Sequence, residues 1–230
     1  LTACGCVVLW APNSIDGVVA GLAVTYAGGA LVPANSRYTA HEVADIVERT
    51  SAQLGIIADG FLGKTQIADL KALRADAPIL DLAALDSIGI TDADVDAVEN
   101  AADAVSPDDV ADVLFTSGTS GRPKGVRSAH RQSVAAASSW STVGEVSGAD
   151  RYLVISPFFH SYGYKVGVLV GLLHGCTIYP MATFDADAAL ALIAAEGLTM
   201  IPGAPAIFLG LLESQKFPRN DTSSLRFANK

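Results

Sequence analysis

One run of the chain combines glycines, hydroxyl side chains and a lysine in a way that suits phosphate binding. It reads FTSGTSGRPKG and extends from Phe115 to Gly125. Glycines let the backbone approach a ligand closely, so that successive N–H groups can point at phosphate oxygens. Lys124 adds a positive point charge. Further donors are the hydroxyls of Thr116, Ser117, Thr119 and Ser120. The run therefore predicts a loop that binds a polyphosphate.

Three other interpretations of this run fit less well. A flexible Gly/Ser linker rarely follows a buried strand and ends in Pro-Lys-Gly. A Walker A loop needs a glycine directly before its lysine, but Pro123 precedes Lys124. A dinucleotide-binding fingerprint needs a G-x-G-x-x-G pattern, which the run lacks.

A second candidate region follows a predicted strand and reads FFHSYGYK, from Phe158 to Lys165. A lone histidine such as His160 is more often a packed or surface residue than a functional one. Lys165 lies in a largely apolar helix, where it either extends its amine to water or places a polar group in a pocket. The other histidines are interpreted as capping, packing or structural residues; they are His41, His130 and His174.

The composition excludes several classes of protein. Half of the residues are hydrophobic, which argues against disorder. The net charge of -9 argues against a nucleic-acid partner, because phosphates repel an acidic surface. No apolar run is long enough for a transmembrane helix. The odd cysteine count and the tight Cys4-Gly5-Cys6 spacing favour reduced thiols in the cytoplasm over disulfides or a zinc site.

Strand-like and helix-like segments alternate along the chain, which predicts an α/β fold with layered parallel sheets and flanking helices. Strands are predicted at Val7–Ala11, Ala30–Pro33, Leu54–Ala58, Val110–Phe115, Tyr152–Ser156, Cys176–Tyr179 and Leu198–Ile201. Helices are predicted from Ile15, from a Thr39/Glu42 capping box, and over Arg131–Val143, Tyr164–Leu173, Asp185–Ala195 and Pro205–Leu212.

The predicted organisation is two α/β units. Residues 1–105 form the first unit and include an acidic connection, and residues 106–230 form the second unit with the phosphate loop. The acidic stretch Asp81–Asp109 is interpreted as a solvated surface connection, because its acids lack the order of a calcium-binding loop.

The Phe115–Gly125 run resembles the phosphate-binding motif of the adenylate-forming superfamily, which contains acyl-CoA synthetases, peptide-synthetase adenylation domains and luciferases. Ser120 stands where that motif more often has threonine. The run ISPFFHSYG resembles the superfamily's aromatic–histidine motif at the acyl pocket. Further similar runs, in the same order as in the family, are VVLWAPNS, YAGGALVPANSRYTAHEV, IPGAPAIFLGLL and TSSLR.

The resemblance implies an AMP-forming carboxylate–CoA ligase that uses ATP, Mg²⁺ and CoA. Motif positions implied to bind ATP are Thr116, Ser117, Gly118, Thr119, Ser120, Gly121 and Lys124, with Thr119 also near the metal ion. Phe159, His160 and Gly163 are implied to shape the acyl and CoA pocket. The family's magnesium-binding glutamate and catalytic lysine have no counterpart in this sequence. No catalytic residue is therefore assigned, the C-terminal catalytic half is expected to lie elsewhere, and this piece alone is expected to be inactive.

The substrate is expected to be a fatty or cyclic carboxylic acid. The Gly163-Tyr164-Lys165 variant resembles CoA ligases that act on steroid-derived cyclic propanoates, and it favours a bulky, oxygenated ring over a linear fatty acid. Two alternatives remain, an adenylation domain that loads a carrier protein and a noncatalytic nucleotide-binding scaffold. The expected partners are the small acid, ATP and CoA, and a homodimer is possible.

Overall fold

The computed structural model describes residues 5–116 and 123–228 and has an α/β fold. Two compact units divide the chain, Leu1–Ser133 and Val134–Lys230. The boundary differs from the predicted one at residue 105, because Val110–Thr116 pairs with a strand of the first unit. The described helices include none that is long and apolar enough to cross a membrane.

The first unit is built on a sheet whose described strands have the order β4-β3-β1-β2-β5-β6. Neighbouring strands from β4 to β5 are parallel, whereas β6 runs antiparallel to β5. The strands are β1 Cys6–Trp10, β2 Ala30–Ala34, β3 Leu54–Ile57, β4 Ile79–Asp81, β5 Val110–Thr116 and β6 Lys124–Ala129. The predicted parallel sheet is thus confirmed, with one antiparallel strand added at its edge.

Two of the four helices of this unit, α1 and α2, begin where the sequence predicted, whereas α3 and α4 were not predicted. The helices are α1 Ile15–Tyr26, α2 Ala40–Thr50, α3 Gln66–Leu73 and α4 Asp92–Asp103. Ser14 Oγ accepts a hydrogen bond from the Gly17 amide at 3.0 Å, which caps α1. Thr39 and Glu42 form the predicted capping box of α2. Behind that cap, Val43 and the rest of the apolar face of α2 pack on the sheet.

The acidic stretch contains a helix that the sequence interpretation missed. Helix α4 begins with a capping box between Thr91 and Asp94, whose carboxylate accepts the Thr91 amide at 2.9 Å. None of its residues is buried, so the apolar periodicity that reveals a packed helix is weak. The part of the stretch from Asp92 to Asp103 is therefore a surface segment, as expected, but it forms a helix.

The second unit has a smaller parallel sheet of β7 Arg151–Val154 and β8 Thr177–Pro180. A π-helix, Tyr162–Leu169, and helix α6, Val170–His174, connect the two strands. Helices α5 His130–Val143, α7 Ala186–Glu196 and α8 Pro205–Glu213 complete the described elements of regular α-helix. The predicted strand at 198–201 is reduced to parallel bridges that join Met200 to Tyr152 and to Phe227.

A buried carboxylate forms hydrogen bonds at the amino ends of three parallel segments, which are β7 and the bridges at Met200 and Phe227. Asp150 precedes β7 and is only 3% exposed. Its oxygens accept hydrogen bonds from Arg226 Nε at 2.8 Å, from Thr199 Oγ1 at 2.7 Å and from the Ser147 amide at 2.8 Å. Burial alone would raise the pKa of Asp150, but these donors and the Arg226 charge hold the pKa well below its usual range. The cluster therefore fixes the register of three neighbouring segments.

Candidate functional site

Strands β5 and β6 bring the two described ends of the predicted phosphate loop opposite each other. Thr116 is the last residue of β5 and pairs with Lys124, the first residue of β6. The Thr116 hydroxyl donates to the Lys124 carbonyl at 3.5 Å, and both residues are exposed. The predicted loop residues Ser117, Gly118, Thr119, Ser120 and Gly121 lie outside the described residues.

Of the two paired strands, β5 is the one that is held in the interior of the sheet. Most of β5 is buried, and the strand has β2 on one side and β6 on the other. The Arg49 guanidinium lies over the Phe115 ring, with 5.1 Å between Arg49 Cζ and the ring centroid. A strand held in this way gives the loop a rigid base, which suits a site that must align phosphates.

Gly125 has a different role from the one its place in the run suggested. The structure places it inside β6, where a Cβ atom would lie 3.1 Å from Val113 Cγ1 and 3.2 Å from Phe115 Cζ. A side chain at this position would therefore press on Val113 and Phe115 of the neighbouring strand. The sequence interpretation had counted Gly125 among the glycines that let the loop backbone approach a ligand.

The aromatic–histidine segment lies at the carboxyl end of β7, where ligands commonly bind in parallel sheets. Phe159 is half-buried, His160 is exposed and Gly163 is buried. His160 Nδ1 accepts a hydrogen bond from the Tyr162 amide at 3.1 Å. A ring nitrogen that accepts a hydrogen bond carries no proton, so this contact leaves Nε2 as the donor of the ring.

Gly163 allows the segment to double back on itself. A Cβ atom there would lie 2.1 Å from the Pro157 carbonyl oxygen and 2.4 Å from that of Ser156. Both obstacles are backbone atoms, so a side chain cannot be accommodated by a rotamer change. Glycine is therefore required at position 163, so that the chain can turn back on residues 156 and 157 and keep Phe159 and His160 close to the end of β7.

We therefore expect Gly163→Ala to lower stability by about 1–3 kcal/mol, the usual cost of overpacking. Urea unfolding of the full-length protein measures this change. Gly89→Ala is the matched control, because no atom lies within 4 Å of its Cβ position and its φ is not positive. Equal stability of the two variants would contradict the packing argument.

The π-helix that follows Gly163 is lined by aromatic residues which the sequence interpretation did not select. The Tyr152 hydroxyl donates to the Val166 carbonyl at 3.0 Å. The Trp140 ring stacks on Tyr152 at 6.3 Å between centroids and meets Tyr162 edge-on at 6.4 Å. Burial raises the pKa of Tyr162. Nothing in the sequence distinguishes Tyr152 or Trp140 from ordinary core aromatics.

No group of three or more histidine, cysteine, aspartate or glutamate side chains within residues 5–116 and 123–228 is arranged to hold a metal ion. The predicted metal contact, Thr119, is outside those ranges. A threonine hydroxyl is a hard oxygen donor of the kind that Mg²⁺ accepts beside substrate phosphates, so the residue type fits the predicted contact.

The family model described as AMP-binding enzyme matches residues 2–228. Among curated proteins, a CoA ligase of Rhodococcus jostii is 46% identical to this chain, and the match covers 96% of this chain and 46% of that protein. Its name specifies a propanoyl group that carries a methyl-dioxo-octahydroindenyl ring system. A ligase of the same name from Mycobacterium tuberculosis is also 46% identical, over 96% of this chain and 46% of its own length.

Among solved structures, ATP-bound MatB from Rhodopseudomonas palustris has a TM-score of 0.78 and 26% sequence identity. The match covers 100% of this chain and 45% of that one. The chain therefore spans about half the length of the relatives it matches.

Proposed function

The chain belongs to the family of AMP-binding enzymes, and from that premise we propose that the whole protein is an AMP-forming carboxylate–CoA ligase. In the first step the carboxylate oxygen attacks the α-phosphorus of ATP, and pyrophosphate leaves. In the second step the CoA thiol attacks the acyl carbon, its proton is lost, and AMP leaves. The observation that carries the proposal is the 46% identity to two CoA ligases over 96% of the chain.

The hairpin formed by β5 and β6 supplies the phosphate-binding groups in this proposal. Thr116 and Lys124 are paired at the end of the two strands, so one residue with a hydroxyl and one with an ammonium group stand on either side of residues 117–123. The loop hydroxyls and amides of residues 117–121 hold the β- and γ-phosphates together with Lys124. Thr119 would contribute a hydroxyl to Mg²⁺, which would supply positive charge to neutralise part of the phosphate charge. Alignment and charge neutralisation lower the barrier to phosphoryl chemistry.

For the acid we propose a propanoate attached to an oxygenated, fused ring. The two curated ligases carry such a group in their names. Phe159, His160 and Gly163 shape the acyl and CoA pocket, and the adjoining π-helix carries the half-buried polar residues Tyr162 and Lys165. Ring ketones are hydrogen-bond acceptors that such donor groups can meet, and a linear alkyl chain has none. A cytoplasmic location and a homodimer remain predictions from the sequence.

The test is to incubate the full-length protein with ATP, Mg²⁺, CoA and a panel of acids, and to measure AMP release. We expect CoA-dependent AMP release, with kcat/KM for a ketone-bearing bicyclic propanoate at least roughly tenfold above that for palmitate, a difference of about 1.4 kcal/mol. A tenfold advantage for palmitate would overturn the substrate class and leave the ligase assignment intact.

Two other outcomes would redirect the assignment. Pyrophosphate exchange without transfer to CoA, but with transfer to a phosphopantetheine carrier, would identify a carrier-loading adenylation domain. Nucleotide binding without AMP release for any acid would identify a noncatalytic scaffold. Each of these outcomes contradicts the CoA-ligase proposal.

A further inference from the structure

A buried tyrosine of β7 forms a hydrogen bond to the backbone of the π-helix beside the proposed acyl pocket. Tyr152 is 1% exposed, and its hydroxyl donates to the Val166 carbonyl at 3.0 Å. Val166 lies within the π-helix Tyr162–Leu169. The tyrosine thus contacts the backbone of this helix from the direction of the sheet.

π-Helices are rare and short because their hydrogen bonds span five residues instead of four. This one changes to α-helix at Val170, whose amide donates to the carbonyl of Lys165 five residues earlier. In a π-helix each amide donates to the carbonyl five residues earlier, and in an α-helix to the carbonyl four residues earlier. At the change from one pattern to the other, one carbonyl is skipped and has no amide partner in the helix. A helix carbonyl that has lost its amide partner needs another donor, from the protein or from water. The Tyr152 hydroxyl supplies a donor at Val166, close to that transition.

Neighbouring contacts prevent Tyr152 and the helix from shifting apart. Trp140 stacks on the Tyr152 ring and also contacts Tyr162, the first residue of the π-helix. A Cβ atom at Gly167 would lie 2.5 Å from Val154 Cγ1, so the helix backbone lies directly on β7. The hydroxyl is therefore held at a fixed position relative to the helix.

We propose that Tyr152 is a positioning residue that sets acyl specificity by holding residues 162–169 in the π-helical form. The inference rests on the proposed function, because it assumes that Tyr162 and Lys165 face the acid. Tyr152 itself does not touch the substrate. If the helix reverted to α-helical pairing, residues before Val170 would rotate about the axis relative to α6. Tyr162 and Lys165 would then present different faces to the pocket.

The test is Tyr152→Phe in the full-length protein, which keeps the ring and removes one donor. We expect kcat/KM for the bicyclic propanoate to fall roughly tenfold, as for the loss of one hydrogen bond, through a higher KM for the acid. The KM for ATP should stay unchanged, and kcat/KM for palmitate should fall less, so that the preference between the acids narrows. A crystal structure of the variant should show α-helical pairing over residues 162–169.

Tyr26→Phe is the matched control, since it removes an exposed hydroxyl that donates to Glu99 at 2.9 Å on the first unit. It should alter neither the acid preference nor the KM values. If Tyr152→Phe is unstable, 4-aminophenylalanine at position 152 keeps a donor in place and should restore both stability and the preference.

A folded Tyr152→Phe protein with the wild-type preference, or with an unchanged π-helix, would overturn the inference. If the wild-type protein released no AMP with any acid, the proposed function would fail instead. The crystal structure would still decide whether Tyr152 maintains the π-helix.

Discussion

Replacing Lys124 with alanine in the full-length protein is expected to slow adenylate formation by roughly 30- to 1,000-fold. This range corresponds to about 2–4 kcal/mol, the loss expected when one charged contact to a reacting phosphate is removed. Lys124 begins β6 opposite Thr116, so its backbone is fixed next to the proposed phosphate loop. Acid-dependent exchange of pyrophosphate into ATP measures the rate of this step.

Lys71→Ala is the matched control for that experiment. Lys71 is an exposed residue in the last turn of α3, on the same unit but in a different element. Its loss should leave pyrophosphate exchange within about twofold of wild type, because surface substitutions away from a site have small effects. An unchanged exchange rate in Lys124→Ala would remove Lys124 from the ATP site.

Replacing Asp150 with alanine is expected to lower the free energy of unfolding by about 3–5 kcal/mol, the typical loss when one partner of a buried ion pair is removed. Arg226 would lose its carboxylate, and the Thr199 hydroxyl and Ser147 amide would lose their acceptor. Because Arg226 is partly exposed, water can solvate it in the variant, which favours the lower end of this range. Urea unfolding of the full-length protein measures the change.

Asp187→Ala is the surface control for this measurement. Asp187 pairs with Lys216 at 3.1 Å, and both side chains are about half exposed. Exposed ion pairs contribute about 0–1 kcal/mol, so this variant should unfold near the wild-type midpoint. If both aspartate variants lost the same small amount, the buried cluster would not determine stability.

The contribution of Asp150 should also depend on pH. Its donors lower its pKa in the folded state relative to an unfolded value of about 3.9. The stabilisation is therefore complete above the unfolded pKa and is lost as the pH falls through the folded pKa. The stability difference between wild type and Asp150→Asn should be constant above about pH 5 and should shrink in more acidic buffer. A difference that grew on acidification would contradict the assigned ionisation.

Local signals predicted much of the first unit. Ser14 and the Thr39/Glu42 pair mark the starts of α1 and α2 because capping hydrogen bonds join residues only a few positions apart. The short apolar runs that became β1, β2 and β3 were predicted to within about one residue, since buried parallel strands are continuously hydrophobic. Strand β6 was not predicted, because Lys124–Ala129 is mostly exposed and lacks apolar alternation. Only its pairing with β5 makes it a strand.

The sequence by itself determined the membership of the family and predicted the phosphate loop, because both inferences depend on residue types in a fixed local order. It also marked Phe159, His160 and Gly163 as one segment. Tertiary structure alone revealed how that segment is supported. Tyr152 meets Val166 fourteen residues away, and Asp150 meets Arg226 across seventy-six residues. The roles of Tyr152 and Asp150 depend on hydrogen-bond partners that are distant in the sequence and meet only in the folded chain. Local sequence patterns do not identify such partners.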